Sequence, residues 1–329
     1  MKMTHKYHTK DFTVGEASYN NEQDPRNCPQ VGCTVFRYIK ATRCVVDKLG
    51  GAVGTYFGDE MDVFSNDPDV CNKVDAICFS GGSVNGLIPC AGVAEALVKE
   101  YMERNVREWE GNDAFYKMPV VKGAITFSGA WGKVPYWRPP DSQLGAMALK
   151  DATDQTVHLG QHGAGSNAEV GSILTKDWGA MGGQGAYCAT RKADGIHCAV
   201  YCNLNSKGVI LGLDGKIMHG PRKDDGTFYG NQFRSTNILI HTNAKCKSMD
   251  LMRQLARQVH VSIARVITPY SAHSDGDVLF LTSSETVEVE DTTSLGVFFS
   301  ECLWKAVHSL ARHHATSTFT DTMTSSLKL

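Results

Sequence analysis

The sequence predicts a mixed α+β fold, and three observations carry that expectation. Apolar, β-rich runs recur along the chain. A few segments of clear i+4 spacing stand between them as helices. The order in which the two alternate does not follow regular βαβ winding.

Taken in order, residues 28–57 read as strand segments broken by turns, closing on the glycine-rich junction Gly50-Gly51-Ala52-Val53-Gly54. An apolar run over 74–79 enters Ser80-Gly81-Gly82-Ser83-Val84-Asn85-Gly86. Beyond it 87–102 has helical spacing through Val93, Leu97 and Tyr101, which makes a strand, tight turn and helix. Residues 119–128 are β-rich, and Asp141-Ser142-Gln143 is placed to cap a helix over 144–150. Glycine density rises between 160 and 185, and 196–202 and 209–213 read as strands. The polar, turn-rich stretch 218–234 reads as an exposed loop, and 236–242 as a strand. Ser248 opens an amphipathic helix with Leu251, Leu255, Val259, Ile263 and Ile267 at i+4, ended by Pro269. Asp275-Gly276-Asp277 turns into a strand over 278–282, and a last helix spans 294–313 before a Ser/Thr-rich tail expected to be disordered.

A chain of 329 residues with net charge −2, 42% hydrophobic and 21% charged residues is neither collagenous, coiled-coil nor disordered. The balanced charge leaves no basic footprint for nucleic acid or an anionic membrane, so the expected partner is a small molecule or peptide. Eleven cysteines include no C-x-x-C pair, which argues against structural zinc and for buried free thiols in a reducing compartment. The first residues, Met-Lys-Met-Thr-His-Lys-Tyr-His, lack the apolar region of a secretory signal, and no run approaches the roughly 20 apolar residues of a membrane span. A cytoplasmic location is expected.

Four candidates carry chemistry, one of them a pair. Ser83 sits on a strand–turn–helix junction like a nucleophile elbow, but Asn85 stands where that motif needs glycine, and a tight turn lining a pocket explains the same residues. Ser235 stands where the polar loop meets a strand. Were the bond after Arg234 cut, Ser235 would own both a hydroxyl and an α-amine titrating near pH 7.7–8.0, so nucleophile and base would come from one residue. Without that cut it is an ordinary strand-start serine. Asp275 and Asp277 are first a turn, and secondly two carboxylates able to orient a serine or its amine. Asn205 either closes a turn or donates its amide to an oxyanion.

In combination these segments resemble one family, the DmpA-type aminopeptidases, which include β-peptidyl aminopeptidases and nylon-oligomer hydrolases. The matching text is Gly50-Gly51-Ala52-Val53-Gly54, then Ile77-Cys78-Phe79-Ser80-Gly81-Gly82-Ser83, Pro140-Asp141 with Leu144-Gly145, and His162-Gly163-Ala164-Gly165. It continues with Asn205 before Gly208-Val209-Ile210, Ser235-Thr236 leading to Ile240-His241-Thr242-Asn243, and Asp275-Gly276-Asp277. The resemblance runs from about residue 10 to residue 315.

It implies a four-layer αββα sandwich, like N-terminal-nucleophile hydrolases in architecture. It also implies one domain that cleaves itself into residues 1–234 and 235–329. The implied roles are Ser235 as nucleophile, Asn205 as oxyanion donor and Asp275 with Asp277 as the positioning pair. Arg234–Ser235 is then the processing site, and Gly82, Ser83 and Phe127 line the substrate pocket. A homotetramer of cleaved units acting on a peptide or amide, without a metal or organic cofactor, is expected from the resemblance. Three positions depart from the family: Arg234 where relatives often carry Gly or Asn, Phe127 for a tyrosine, and Ser172 for a lysine of the nylon-hydrolase branch. Two alternatives remain at this stage, an acyltransferase of the ornithine acetyltransferase type and a non-catalytic binding homologue.

Overall fold

In the computed structural model, the described residues are 3–19, 31–58, 72–104, 118–128, 138–174, 179–221 and 233–326, the last helix beyond 315 by its backbone alone. The chain begins with strands β1 (Thr4–Lys6), β2 (Phe12–Tyr19), β3 (Val31–Lys48), β4 (Thr55–Tyr56) and β5 (Lys73–Ser80). Next come α1 (Leu87–Arg104), β6 (Val121–Ile125), α2 (Ser142–Asp151), β7 (Thr156–His158), β8 (Glu169–Val170) and β9 (Ala180–Met181). Then follow β10 (Gly183–Arg191), β11 (Ile196–Asn205), β12 (Val209–Leu211), β13 (Ile217–His219) and β14 (Ser235–Lys245). The remaining elements are α3 (Met249–Ser262), β15 (Ile267–Thr268), β16 (Val278–Glu288) and α4 (Thr292–Ser326).

The large sheet runs β10-β11-β14-β16-β3-β5-β6-β4, with β2 also paired to β3. Strand β3 explains how one hydrogen-bonded order becomes two layers. Residues 31–38 pair with β2, whereas 43–48 pair with β16 on the path to β14 and β11. The register against β5 shifts between Arg37 and Thr42. The period of two then sorts the side chains. Phe36, Ile77, Phe79, Tyr201, Leu239 and Phe280 face a common inner core. There Phe79 stacks on Tyr201 with centroids 5.3 Å apart, worth about 0.5–1.5 kcal/mol beyond the area buried. The opposite faces are covered by helices. Cys33, Val35, Ala76 and Cys78 meet α1 and α2 through Val93, Leu144 and Leu149. Val200, Ile238, Ile240 and Leu279 meet α3 and α4 through Leu255, Val259, Phe299 and Leu303. This is the αββα sandwich that the resemblance implies.

The caps stand where the sequence places them. Asp141 accepts from the N–H of Leu144 at 3.0 Å, and Ser248 from that of Leu251 at 3.2 Å. Four expectations are corrected. Residues 31–48 form one strand, because the register shift replaces a turn. The amphipathic helix ends at Ser262, and Ile263 opens a 3₁₀ turn while Ile267 joins β15, so the i+4 pattern there records burial and not helix. Strand β12 stops at Leu211. The tail continues as helix to Ser326, since no glycine or proline interrupts propagation after Gly296. Most of the expected loop at 218–234 lies outside the described residues. No helix among the described residues is long and apolar enough to cross a membrane.

Candidate active site

Ser235 is the first residue of β14 and pairs directly with Asn205, the last of β11. Both are about 1% exposed. The Ser235 hydroxyl oxygen accepts from the backbone N–H of Phe127 at 2.8 Å. One residue upstream, Arg234 bridges to Asp275 in parallel fashion, and its carbonyl accepts from the N–H of Gly276 at 2.7 Å. The hydroxyl and the carbonyl that precedes it each carry a backbone donor. An added Cβ at Gly276 would stand 3.2 Å from Cβ of Ser235 and 3.0 Å from the carbonyl oxygen of Ala52, so a side chain there would crowd both by a few tenths of an ångström.

The turn holding Asp275 and Asp277 rests on the glycine-rich junction after β3. The N–H groups of Leu49 and Gly50 donate to the Asp277 carbonyl at 3.1 and 3.2 Å, and that of Ala52 to the Asp275 carbonyl at 2.8 Å. A Cβ at Gly50 would lie 2.2 Å from the Asp275 carbonyl oxygen, so the Gly50-Gly51 text records a close backbone approach. The Asp277 carboxylate accepts from the N–H of Thr236 at 2.7 Å and of Ser271 at 3.0 Å, which ties the turn to β14. Burial pushes Asp277 up to about 7, with the charge of Asp275 adding to it. Burial likewise raises Asp275 to about 6 against the opposing pull of Lys207. One Asp275 oxygen is buried without a hydrogen-bond partner. Lys207 is itself 3% exposed and donates to the Ser274 hydroxyl.

Asn205 is fixed at both ends of its amide. Nδ2 donates to the carbonyl of Phe127 at 3.0 Å, and Oδ1 accepts from the N–H of Glu169 at 2.9 Å. One proton of Nδ2 is committed to Phe127, and the same amide nitrogen carries a second. Asn203 and Asn237 hold the same wall by donating to the Thr126 hydroxyl and to the carbonyls of Ala164 and Ile125. The turn after β5 joins it too, because Gly82 and Ser83 donate to the carbonyls of Ser128 and Thr126, each at 3.3 Å.

Ser235, Asn205, Asp275, Asp277, Arg234, Phe127, Gly82 and Ser83 therefore converge on one place. Arg234 is not the solvent-facing loop residue its surroundings suggest, for it pairs with Glu169 at 2.7 Å with both side chains 15% exposed. Ser172 is buried within a 3₁₀ turn beside the strand end, where the N–H of Ile173 donates to the carbonyl of Lys207. Glu169, Lys207 and the N–H groups of Gly276 and Phe127 were not legible as site components. A loop lysine and a glycine between two aspartates carry no sequence mark of burial.

A strand-start serine flanked by a polarised carbonyl, two raised carboxyls and a fixed side-chain amide is equipped for acyl transfer. The family model described as peptidase family S58 matches residues 44–326. The chain belongs to peptidase family S58. The 6-aminohexanoate-oligomer endohydrolase of Paenarthrobacter ureafaciens is 28% identical over 327 residues, 90% of this chain and 82% of that protein. Among solved structures, a Burkholderia sp. β-aminopeptidase superposes with TM-score 0.66 at 16% identity, covering 94% of this chain and 88% of that one. The L-aminopeptidase D-Ala-esterase/amidase of Ochrobactrum anthropi, a variant of the Ntn hydrolase fold, gives TM-score 0.65 at 14% identity, covering 94% and 87%. This S58 protein is a serine-type hydrolase of N-terminal-nucleophile architecture.

Proposed function

We propose that this S58 protein activates itself by cutting the Arg234–Ser235 bond and then hydrolyses peptide or amide bonds through an acyl-Ser235 intermediate. The observation that carries this reading is the paired engagement at the bond itself. Phe127 N–H lies on the Ser235 hydroxyl at 2.8 Å, and Gly276 N–H lies on the Arg234 carbonyl at 2.7 Å. In maturation, Ser235 Oγ adds to the Arg234 carbonyl carbon while Gly276 N–H holds the developing oxyanion. The C–N bond then breaks, the nitrogen takes the hydroxyl proton, and Arg234 is left as an ester on Oγ. Water hydrolyses that ester, leaving a free carboxyl on Arg234 and a free α-amine on Ser235.

In turnover the amine takes the Oγ proton as Oγ attacks a substrate amide, and later returns it to the leaving amine. Asn205 Nδ2 and backbone N–H groups hold the oxyanion, one such donor being worth about 3–4 kcal/mol. Asp277, anchored by Thr236 N–H, and Asp275 keep the new ammonium close and oriented, and amino-acid oligomers or short peptides are the favoured substrates. Family resemblance supports a homotetramer of cleaved units, and the free thiols of the described cysteines support a reducing cytoplasm.

Denaturing electrophoresis with amino-terminal sequencing tests the cut. A small fragment beginning Ser-Thr-Asn-Ile is expected from the wild type, and none from Ser235→Ala. Equal cutting of the variant would show that a contaminating protease, and not the chain, severs the bond.

A further inference from the structure

We propose that Glu169 selects the acyl side of the substrate, and that the mature site takes amides whose acyl residue carries a cationic side chain, arginyl or lysyl. This rests on the self-cleavage reading above.

Connectivity comes first. During maturation the carbonyl attacked is that of Arg234, so the ester on Ser235 Oγ holds Arg234 as its acyl group. An amide substrate forms an ester on that same oxygen in every turnover. The Arg234 side chain therefore marks the direction in which an acyl residue leaves the reacting carbon. That direction ends on a carboxylate, since Nη2 of Arg234 meets Oε2 of Glu169 at 2.7 Å.

The second argument is electrostatic. Both side chains are 15% exposed, so the pair is largely removed from water. Burial pulls both toward their neutral forms, and each is held charged by the other. Hydrolysis of the maturation ester makes Arg234 a chain end free to withdraw. Glu169 then keeps a mostly buried carboxylate with the N–H of Gly179 at 3.4 Å but without the Arg234 cation beside it, and a cation of similar reach restores the pair. Arginyl and lysyl groups place their charge about six to seven bonds from the reacting carbonyl, as Arg234 does. The guanidinium fits best, being the group already seated there.

The third argument is position. Glu169 is the first residue of β8, and its N–H donates to Oδ1 of Asn205 at 2.9 Å. The residue that carries the selecting carboxylate is thus tied to Asn205 through its own backbone N–H. An acyl residue seated on Glu169 in the manner of Arg234 presents its carbonyl oxygen to the N–H of Gly276, which lies 2.7 Å from that of Arg234 in the uncut chain.

The test uses the cleaved full-length protein with p-nitroanilides of arginine, lysine, and citrulline, the neutral isostere of arginine. Arginine should exceed citrulline in kcat/KM by about tenfold or more, as for a charge-assisted hydrogen bond, and Glu169→Gln should bring that ratio close to one. A second measurement needs no variant: argininamide should inhibit hydrolysis of alanine p-nitroanilide about tenfold more strongly than citrullinamide. A cleaved, active enzyme that treats arginine and citrulline alike, or a ratio unchanged in Glu169→Gln, overturns the role of Glu169 and leaves the self-cleavage reading standing. An uncut chain that hydrolyses none of the anilides overturns both.

Discussion

Two serines stand at strand ends in the two layers of the sandwich, and both touch the segment 126–128. Ser83 follows β5 at φ 55°, and its N–H donates to the Thr126 carbonyl at 3.3 Å. Its hydroxyl is buried without a partner, although the strand–turn–helix around it is the more conspicuous catalytic motif. Ser235 opens β14 in extended pairing with Asn205, and its hydroxyl accepts from Phe127. Around it stand a fixed amide, two carboxyls raised by burial and a donor on the neighbouring carbonyl. A strained backbone presents a hydroxyl but supplies no base. What separates the two positions is the surrounding donor and acceptor set, and only the second has one.

The comparison is broken most directly by kinetics. Ser235→Ala is expected to lower peptide anilide hydrolysis by on the order of 10³-fold or more, and Ser83→Ala by less than about threefold. Equal losses in steady-state assays would mean that the two serines do not divide as described. Asn205→Ala should cost about 10²–10³ in kcat, read in the same assay on protein that has completed its cut.

Lys207→Met sharpens the electrostatic half of the contrast. The ammonium lowers the pKa of Asp275 against burial, so its removal lets that carboxyl rise further above about 6. If self-cleavage requires the ionised carboxylate, its acid limb moves up in pH. The rate at pH 6 should then fall about fivefold while that at pH 8.5 changes by less than about twofold, followed by time-resolved electrophoresis. The smallest effect belongs to Ser83→Gly. Relief of a non-glycine residue at positive φ, less the added freedom of the unfolded chain, should raise stability by at most about 1 kcal/mol in thermal melts.

Local pattern made much of the fold legible in advance. The 74–79 run, the glycine turn and the spacing through Val93 and Leu97 correspond to β5, a 3₁₀ turn and α1. The Asp141 and Ser248 caps are equally local. Where local pattern misled, two structures shared one hydrophobic record, as at Ile263 and Ile267, buried beyond the end of α3. The site was legible only as a set of motifs. Its assembly depends on pairings far apart in sequence, Asn205 with Ser235, Phe127 with Ser235 and Gly50 with Asp277. Lys207 and Glu169 stayed hidden for the same reason, since burial of a charge is decided by what packs over it.

The strand order has a last consequence. β14 and β16, both downstream of Arg234, lie side by side in mid-sheet between β11 and β3, both upstream of it. A cut before Ser235 leaves every rung of those two seams in place, but it changes the molecularity of folding. The uncut chain refolds alone, whereas the two cut pieces, once unfolded, must find each other. Dissociation of the two pieces should therefore add a concentration dependence to the melting midpoint of the cleaved protein beyond any that Ser235→Ala shows. Dilution after unfolding would then make the loss of activity one-way.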